Sequence, residues 1–240
     1  MKAFASSHVG LVRRTNEDAY YLPKLEERFA VVADGMGGHL AGEVASRMAV
    51  DEFVRELREY RFPDEEIMKH AVEAANAAVY RAAQLDISKK GMGTTLTALW
   101  MGKDSVCLAH VGDSRAYLLR NGALMQLSRD HSLVGELMEK GELTFEEAMV
   151  HPQRNLITRA LGTNPKVVPD VMRLDYQKGD VWFLCSDGMS NHVHNHEMAE
   201  ILRRGEEWQL KADRLVELAL DRGGSDNITV VLVVGEEVRK

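Results

Sequence analysis

Residues 94–127 read TTLTALWMGKDSVCLAHVGDSRAYLLRNGALMQL, and this stretch decides the fold. Its runs of apolar, β-branched and aromatic residues predict three strands, over Thr94–Met101, Ser105–Val111 and Arg115–Leu119. A glycine-containing turn lies between the first two runs, and Asn121-Gly122, the strongest short hairpin signal, separates the third run from Leu124–Leu127. Because strands joined by tight turns must be antiparallel, the stretch predicts an antiparallel sheet.

Strand and helix patterns continue on both sides of this stretch. Further short apolar runs predict strands at Phe29–Ala33, Val181–Cys185 and Ile228–Val234. Apolar residues at helical spacing predict helices over Gly42–Glu59, Asp64–Gln84 and Trp208–Leu220. Strands and helices therefore occur in separate groups, without the strict alternation of a doubly wound parallel fold. This order favours an α+β fold in which the helices pack on antiparallel sheets.

Length and composition indicate one globular domain. The chain has 240 residues, of which 45% are apolar and 28% are charged, and its formal net charge is −7. We expect a single domain over residues 1–240, because layered folds of roughly 200 to 250 residues often form one core. The stretch Ser132–Leu161 is polar and is broken by Gly141 and Pro152, so it predicts a helical surface insertion.

Charge and hydropathy argue against nucleic-acid and membrane partners. The sequence has no basic run or arginine-rich stripe of the kind that binds nucleic acid or an anionic membrane. No stretch approaches the roughly 18 apolar residues of a spanning helix, and the first eight residues lack a secretory apolar core. Cys107 and Cys185 lie in apolar runs, which is typical of buried free thiols. We therefore expect a cytoplasmic protein.

Aspartates recur at the ends of the predicted strands. Asp34 and Asp187 each follow an apolar run, and Asp226 precedes one. Asp113 and Asp18 occupy similar positions. Carboxylates that converge on one sheet edge raise one another's pKa unless a cation compensates them, so their convergence would predict a metal site. Oxygen ligands alone select hard cations such as Mg²⁺ or Mn²⁺.

One histidine cluster offers a different metal chemistry. His192, His194 and His196 alternate, so they would share one side of an extended segment. Histidine is a common ligand of softer metals such as zinc. A solvated loop is the other interpretation of these residues, and it is the one that we favour.

Six short motifs are spread in order along nearly the whole chain. They are Arg13-Arg14-Thr15-Asn16-Glu17-Asp18, Asp34-Gly35-Met36-Gly37-Gly38-His39, Gly93-Thr94-Thr95, Val111-Gly112-Asp113-Ser114-Arg115, Ser186-Asp187-Gly188 and Asp226-Asn227-Ile228-Thr229. Three further motifs are Gly42-Glu43-Val44-Ala45-Ser46, Asp130-His131-Ser132-Leu133 and Ala160-Leu161-Gly162-Thr163. The six resemble the motifs of the metal-dependent protein phosphatases of the protein phosphatase 2C family, and the further three resemble its bacterial cytoplasmic branch.

The resemblance implies a fold and a set of metal ligands. The fold is a sandwich of two antiparallel β-sheets flanked by helices, in α-β-β-α layers, with the metals in a cleft at one end. Asp34 would bridge two cations, and the carbonyl of Gly35 would bind the second of them. Asp187 and Asp226 would complete the first.

Other positions have supporting roles in the family. Asp18, with Glu17 as a further candidate, would hold metal-bound waters. In some bacterial members a third ion lies between the equivalents of Asp113 and Asp187, so Asp113 is an additional metal candidate. Residues 134–161 would form a mobile flap beside the cleft.

The implied activity is Mn²⁺- or Mg²⁺-dependent hydrolysis of phosphoserine and phosphothreonine. Two cations can lower the pKa of a water that bridges them, and this water would attack phosphorus directly. Arg13, at the family's offset from Asp18, would bind the phosphate, because a guanidinium pairs two phosphate oxygens at once. The adjacent Arg14 is the other candidate for the phosphate-binding role. The leaving alkoxide needs a proton, for which His39 and a metal-bound water are the candidates.

Two alternatives can be compared with the same residues. A cysteine phosphatase needs an arginine six positions after its cysteine, but Asp113 and Asn191 stand there. The other alternative is a catalytically weak relative that binds phosphoproteins as a scaffold. Loss of a metal aspartate would favour the scaffold, and all of these aspartates are present. The resemblance implies phosphoprotein partners, including a serine/threonine protein kinase and its substrates.

Overall fold

The chain forms a layered α+β structure in the computed structural model, which describes residues 1–24, 27–37 and 41–235, without the side chains of residues 145, 146 and 149. The strands are β1 (Lys2–His8), β2 (Asp18–Tyr21), β3 (Phe29–Met36), β4 (Gly93–Thr94), β5 (Leu96–Met101), β6 (Ser105–Val111), β7 (Arg115–Arg120), β8 (Ala123–Gln126), β9 (Asp170–Asp175), β10 (Val181–Cys185) and β11 (Ile228–Val234). The α-helices are α1 (Ala41–Leu57), α2 (Glu65–Leu85), α3 (Leu133–Glu139), α4 (Phe145–Val150), α5 (Asp187–Ser190), α6 (Asn195–Arg203) and α7 (Trp208–Asp221).

The strands form two antiparallel sheets. The first sheet has the order β1-β11-β10-β7-β8, and the second has the order β2-β3-β5-β6-β9, with β4 paired to β3. Asn121 and Gly122 connect β7 to β8 with φ angles of 51° and 77°. Two consecutive positive φ angles characterise the type I′ turn, whose twist matches that of the flanking strands. The predicted hairpin is therefore confirmed.

Side-chain alternation along the strands builds three apolar layers. In β11, Ile228, Val230 and Leu232 pack with α6 and α7, whereas Val231 and Val233 face the other sheet. The third layer lies between the second sheet and helices α1 and α2. Because successive strand residues point to opposite faces, a strand buried on both faces is apolar throughout. The predicted α-β-β-α sandwich is confirmed.

Several boundaries differ from the predicted ones. The strand predicted over Phe29–Ala33 continues to Met36, so Asp34 lies inside a strand rather than after it. The predicted strand Thr94–Met101 is divided into β4 and β5. Strands β1, β2 and β9 were not predicted, because their mixed polar and apolar residues give no clear run. Among the described residues, no helix has the length and apolar character needed to cross a membrane.

The insertion that follows β8 is helical, as predicted. It contains α3 and α4. An isolated bridge between Ser132 and Ile157 joins its two ends, and a second bridge joins Leu161 to Thr94 of β4. The Ser132 hydroxyl accepts a hydrogen bond from the Gly135 N–H and thereby caps α3. These contacts attach the base of the insertion to the rest of the fold. The mobility of the insertion stays a prediction.

Candidate active site

The two sheets bring their loops together at one end of the sandwich. Asp18, the first residue of β2, is the direct cross-strand partner of Asp34 in β3. The Ser186 hydroxyl, at the end of β10 in the other sheet, donates to Oδ2 of Asp18 over 2.8 Å. A buried hydrogen bond therefore joins the ends of the two sheets and helps to fix their relative positions.

Asp34 is held by hydrogen bonds of its main chain. Its N–H donates to the Thr95 hydroxyl over 2.9 Å, and its carbonyl accepts from the Thr95 N–H over 2.9 Å. The Thr95 hydroxyl also contacts the Ser114 hydroxyl at 2.7 Å. Thr95 sits in the break between β4 and β5, so this break links Asp34 to the loop that contains Asp113.

Glycine is required at position 35 for steric reasons. A Cβ atom at Gly35 would lie 2.1 Å from the carbonyl oxygen of Gly42 and 2.6 Å from that of Glu17. The Gly35 N–H donates to the same Glu17 oxygen over 3.1 Å. The main chain of Gly35 is thus packed between the start of α1 and the segment before β2, where its carbonyl was predicted to bind a cation.

Asp187 and Asp226 meet at the end of the first sheet. Asp187 is the first residue of α5, and a Cβ atom at the next residue, Gly188, would lie 2.1 Å from the Asn227 carbonyl oxygen. This close approach brings the two aspartate-bearing segments together. Oδ2 of Asp226 accepts from the Arg13 guanidinium over 2.7 Å, and Oδ1 accepts from the Asn227 N–H over 2.8 Å.

The carboxylates form a buried cluster with uncompensated negative charge. Burial, followed by repulsion from neighbouring aspartates, raises the pKa of Asp34 and Asp113 well above their usual values. Burial and then Asp226 raise the pKa of Asp187. Burial also raises the pKa of Asp18 to about 7, although hydrogen bonds from Thr229 and Ser186 oppose the shift. Asp34 experiences repulsion from all four of the other aspartates, so it has the central electrostatic position in the cluster.

Three oxygens of the cluster have no hydrogen-bond partner. They are Oδ1 of Asp18, Asp113 and Asp187, and all three are buried. A buried oxygen without a donor is unfavourable unless a cation or water satisfies it. Oxygen-only donors with unmet charge fit a hard divalent cation, so the residues present fit the metals that the sequence implies.

The aspartate side chains do not form a complete metal-binding group in their present positions. Within residues 1–24, 27–37 and 41–235, no three His, Cys, Asp or Glu side chains form a group that could hold a metal ion by themselves. The Asp226 carboxylate is instead engaged in an ion pair with Arg13.

The remaining predicted residues have different positions. Arg13 reaches the cluster through its contact with Asp226, although its side chain is 54% exposed, and its neighbour Arg14 is exposed as well. His39 lies outside the described residues. The alternative of a soft-metal site at the histidine cluster is not supported, because the segment is not extended: His194 is the N-cap of α6 and His196 lies within this helix.

A cavity of about 130 Å³ opens beside the cluster. Its lining includes Asp113 and Asp187 of the cluster, and Met138 and Arg154 from the insertion. Residues 190–195 complete much of the lining. The insertion thus stands beside the carboxylates, where the predicted flap would stand.

One charged pair in the lining of this cavity was not predicted from the sequence. Arg115 donates three hydrogen bonds of 2.7 to 3.0 Å to the carboxylate of Asp130, and both side chains are mostly buried. Both residues belong to motifs quoted above. Their pairing has no signal in their spacing, because it depends on how β7 and the segment after β8 fold back on each other.

The raised pKa values predict how the stability of the metal-free chain depends on pH. The pKa of an aspartate in an unfolded chain is about 3.9, whereas burial raises the pKa of Asp18 to about 7. Between these values the folded chain retains a proton that the unfolded chain has lost, so rising pH favours unfolding. We expect the Tm of chelator-treated protein to contain a contribution that falls from about pH 4 to about pH 7.

The Asp18→Asn variant isolates this contribution. Asparagine carries no charge, so the variant should gain stability relative to the wild type as the pH rises in chelator. Added Mn²⁺ should stabilise the wild type more at high pH, because the carboxylates must lose protons to bind it. Thermal unfolding at a series of pH values measures both effects. A constant difference in Tm between the two proteins across this range would contradict the shift.

Comparisons with known proteins agree with this architecture. The protein phosphatase 2C family model matches residues 12–219. The serine/threonine phosphatase stp of Listeria welshimeri is 43% identical over 231 residues, which cover 93% of this chain and 92% of that protein. The serine/threonine protein phosphatase PstP of Mycobacterium tuberculosis is 42% identical over 235 residues, which cover 95% of this chain and 44% of that protein.

Solved structures give the same result. The crystal structure of the M. tuberculosis phosphatase PstP/Ppp has a TM-score of 0.92 and 41% identity, and the match covers 98% of this chain and 99% of that one. The PstP catalytic domain in complex with two manganese ions has a TM-score of 0.89 and 40% identity, covering 98% of each chain. The chain therefore belongs to the protein phosphatase 2C family, and it is a metal-dependent serine/threonine protein phosphatase.

Proposed function

We propose that this chain hydrolyses phosphoserine and phosphothreonine in phosphoproteins by direct attack of water, at a site formed by Asp34, Asp187 and Asp226. The single observation that carries the proposal is the buried carboxylate cluster with unpaired oxygens. When bound, a pair of divalent cations polarises the phosphoryl group and lowers the pKa of water. The alternative of a scaffold has no support in the site, because each of these aspartates is present.

The proposed roles follow from position. Asp34 is paired with Asp18 across the strand pair and is influenced by Asp187, which follows β10 of the other sheet, and it is the proposed bridging ligand. The carbonyl of Gly35 is the proposed ligand of the second cation. Asp187 and Asp226 are assigned to the first. Asp18 Oδ1, which is buried and unpaired, would accept a hydrogen bond from water and orient it.

Asp113 is the proposed ligand of a third ion. Its pKa is raised by burial and then by Asp187 and Asp130, and its Oδ1 has no partner. It contacts the cavity between the insertion and residues 190–195. We propose that residues 134–161 act as a mobile flap over this cavity within a single catalytic domain, 1–240.

Arg13 is the proposed phosphate-binding residue. Its guanidinium extends to the carboxylate cluster, and the hydrogen bond with Asp226 raises its pKa, so that it is charged at all working pH values. A dianionic phosphate ester competes with Asp226 for a planar donor of this kind. The Arg13 guanidinium can thus neutralise charge on the ester beside the proposed metal ligands.

The identity of the metal is part of the proposal. Mn²⁺ and Mg²⁺ both accept the all-oxygen donor set, and the related PstP catalytic domain was solved with two manganese ions. We propose Mn²⁺ or Mg²⁺, two per chain. Initial rates on a phosphothreonine peptide, after chelation and after return of each metal, test the proposal. Turnover that survives chelation would overturn the proposal of metal dependence. Absence of activity with every metal would favour the scaffold alternative.

The proposed cellular partners are a serine/threonine protein kinase and its substrates. A phosphatase of this specificity acts on residues that such a kinase modifies. We propose a cytoplasmic location, in keeping with Cys107 and Cys185, which are buried free thiols in different apolar layers. Phosphoproteins that accumulate when an Asp34→Asn chain replaces the wild type in the cell identify the substrates.

Replacing Arg13 with alanine should weaken phosphate binding while metal binding persists. We expect the KM for a phosphopeptide and the Ki for inorganic phosphate to rise by about tenfold or more, because a charge-assisted bidentate contact is lost. Steady-state kinetics with phosphate as the inhibitor measure both constants. Arg14→Ala is the matched control, and its constants should stay within about twofold of the wild type. If Arg14→Ala shows the larger change, Arg14 is the phosphate ligand.

A further inference from the structure

Asn227 makes an unusual set of contacts beside the site. The residue follows Asp226, precedes β11 and is 4% exposed. Its carboxamide nitrogen donates to the main-chain oxygens of Val9 over 2.8 Å and Thr15 over 2.9 Å. Its carboxamide oxygen accepts from the Glu17 N–H over 2.8 Å. The side chain therefore bonds only to main-chain groups of one segment, residues 9–17.

The orientation of this amide is fixed by its partners. The carbonyl oxygens of Val9 and Thr15 only accept hydrogen bonds, so the NH₂ group must face them. The Glu17 N–H only donates, so the carboxamide oxygen must face it. A flipped amide would lose all three hydrogen bonds, so the assignment of nitrogen and oxygen is determined.

The segment that Asn227 binds is ordered by individual hydrogen bonds, among them those that the Glu17 oxygen accepts from the Gly35 N–H over 3.1 Å and from the Ser46 hydroxyl over 2.6 Å. Residues 9–17 connect β1 to β2 without helix or strand structure, and Arg13 lies in the middle of them. Main-chain groups in such a segment need partners outside a regular ladder. Leu11 donates to the Gly224 oxygen over 2.7 Å. Asn227 binds Val9 on one side of Arg13 and both Thr15 and Glu17 on the other, so it joins the two ends of the segment.

We propose that Asn227 is a positioning residue that holds Arg13 for phosphate binding, which rests on the role of Arg13 proposed above. Asp226 contacts the guanidinium of Arg13, and the next residue holds the main chain on both sides of it. One short segment thus places a metal ligand and the phosphate ligand together. Phosphate binding by a flexible arginine would require ordering of the whole segment, and Asn227 provides this order before the substrate arrives.

The test uses Asn227→Ala with inorganic phosphate as the probe. Loss of three hydrogen bonds should raise the Ki for phosphate and lower kcat/KM for a phosphothreonine peptide by about tenfold. Affinity for Mn²⁺, measured by calorimetry, should remain within about threefold of the wild type.

Asn76→Ala is the matched structural control. Asn76 is also buried, at 2% exposure, and its side chain bonds to the main chain of Asn164 and Gly162. These contacts are remote in sequence from Arg13. Asn76→Ala should lower Tm by a similar amount and leave the Ki for phosphate unchanged. An equal rise of Ki in both variants would reduce the role of Asn227 to general stability and overturn the proposal.

The double variant separates positioning from other effects. In the Arg13→Ala background, Asn227→Ala should change kcat/KM by less than about twofold, because the group that it positions is absent. An equal loss in the wild-type and Arg13→Ala backgrounds would overturn the positioning role of Asn227 and leave the role of Arg13 intact. An unchanged Ki in Arg13→Ala itself would instead overturn the phosphate-binding role of Arg13, and the proposal with it.

A measurement on the unmodified chain covers the case in which Asn227→Ala does not fold. The Glu17 amide proton should exchange with solvent at least about a hundredfold more slowly than in an unstructured peptide, although it lies outside any strand. Exchange at the rate of an unstructured peptide would show that the hydrogen bond to Asn227 does not hold the segment, and would overturn the proposal.

Discussion

Asp34→Asn should lower kcat/KM for a phosphothreonine peptide by a factor of about a thousand or more, the largest effect expected from any single replacement in this chain. Asparagine has nearly the same shape but removes the negative charge at the centre of the cluster. A neutral side chain is a weaker ligand for a hard cation, and in the proposed bridging role Asp34 would serve two cations at once. Both metal sites should therefore weaken together.

A matched control distinguishes this loss from a general effect of charge. Asp221 lies at the end of α7 and is exposed, so Asp221→Asn removes the same charge from a position remote from the cluster. Its kinetics should equal those of the wild type. Asp34→Asn should also be more stable than the wild type in chelator at neutral pH, because repulsion among the buried carboxylates falls. Undiminished turnover by Asp34→Asn would contradict the proposed role of Asp34.

Arg115→Met should reduce the free energy of unfolding by about 3 to 5 kcal/mol, since it leaves a buried carboxylate without its partner. The Arg115 and Asp130 side chains are only 15% and 12% exposed, and three hydrogen bonds join them. Desolvation of an unpaired charge, rather than loss of attraction, dominates such a cost. Urea-induced unfolding with Mn²⁺ removed gives the free energy directly.

The pair can be compared with an exposed one. Arg55 forms ion pairs with Glu52 and Glu56, but its side chain is 63% exposed. Arg55→Met should cost less than about 1 kcal/mol, because water already screens these charges. The double replacement Arg115→Met with Asp130→Leu should recover part of the lost stability by removing the orphaned charge. Equal costs for the buried and exposed pairs would show that burial does not control this interaction.

The central strands of the fold could be predicted from the sequence, and its edges could not. Strand β11 is apolar throughout because it is buried on both faces, and Asn121-Gly122 identifies the β7–β8 turn locally. Strand β1 has no such signal. Its residues alternate weakly, and it joins the sheet only by pairing with β11, more than 200 residues away in sequence. Pairing over this distance depends on tertiary packing, which local patterns do not encode.

The histidine cluster shows how a period can mislead. Alternating residues indicated an extended segment, but His194 instead caps α6, and its main-chain N–H donates to the Glu197 side chain. Three histidines over five residues are too few to distinguish a strand from a helix start. The capping pattern at Glu197 was the better signal.

The site was predictable in its residue types more than in its geometry. Aspartates near strand ends indicated a metal cluster, and Asp18, Asp34, Asp113 and Asp187 do influence one another's pKa. The contact between Arg13 and Asp226 joins residues 213 positions apart, and no spacing rule gives it. The role of Asn227 needed the directions of its three hydrogen bonds, although its motif was visible in the sequence.

The most direct test of the carboxylate cluster as the metal site is a calorimetric titration of Mn²⁺ into chelator-treated protein. The wild type should bind about two ions per chain with the highest affinity, and Asp113→Asn should retain both. Asp34→Asn should lose both, because in the proposed role the Asp34 carboxylate would be shared between the two ions. If Asp34→Asn binds Mn²⁺ with the stoichiometry and affinity of the wild type, the cluster centred on Asp34 is not the metal site.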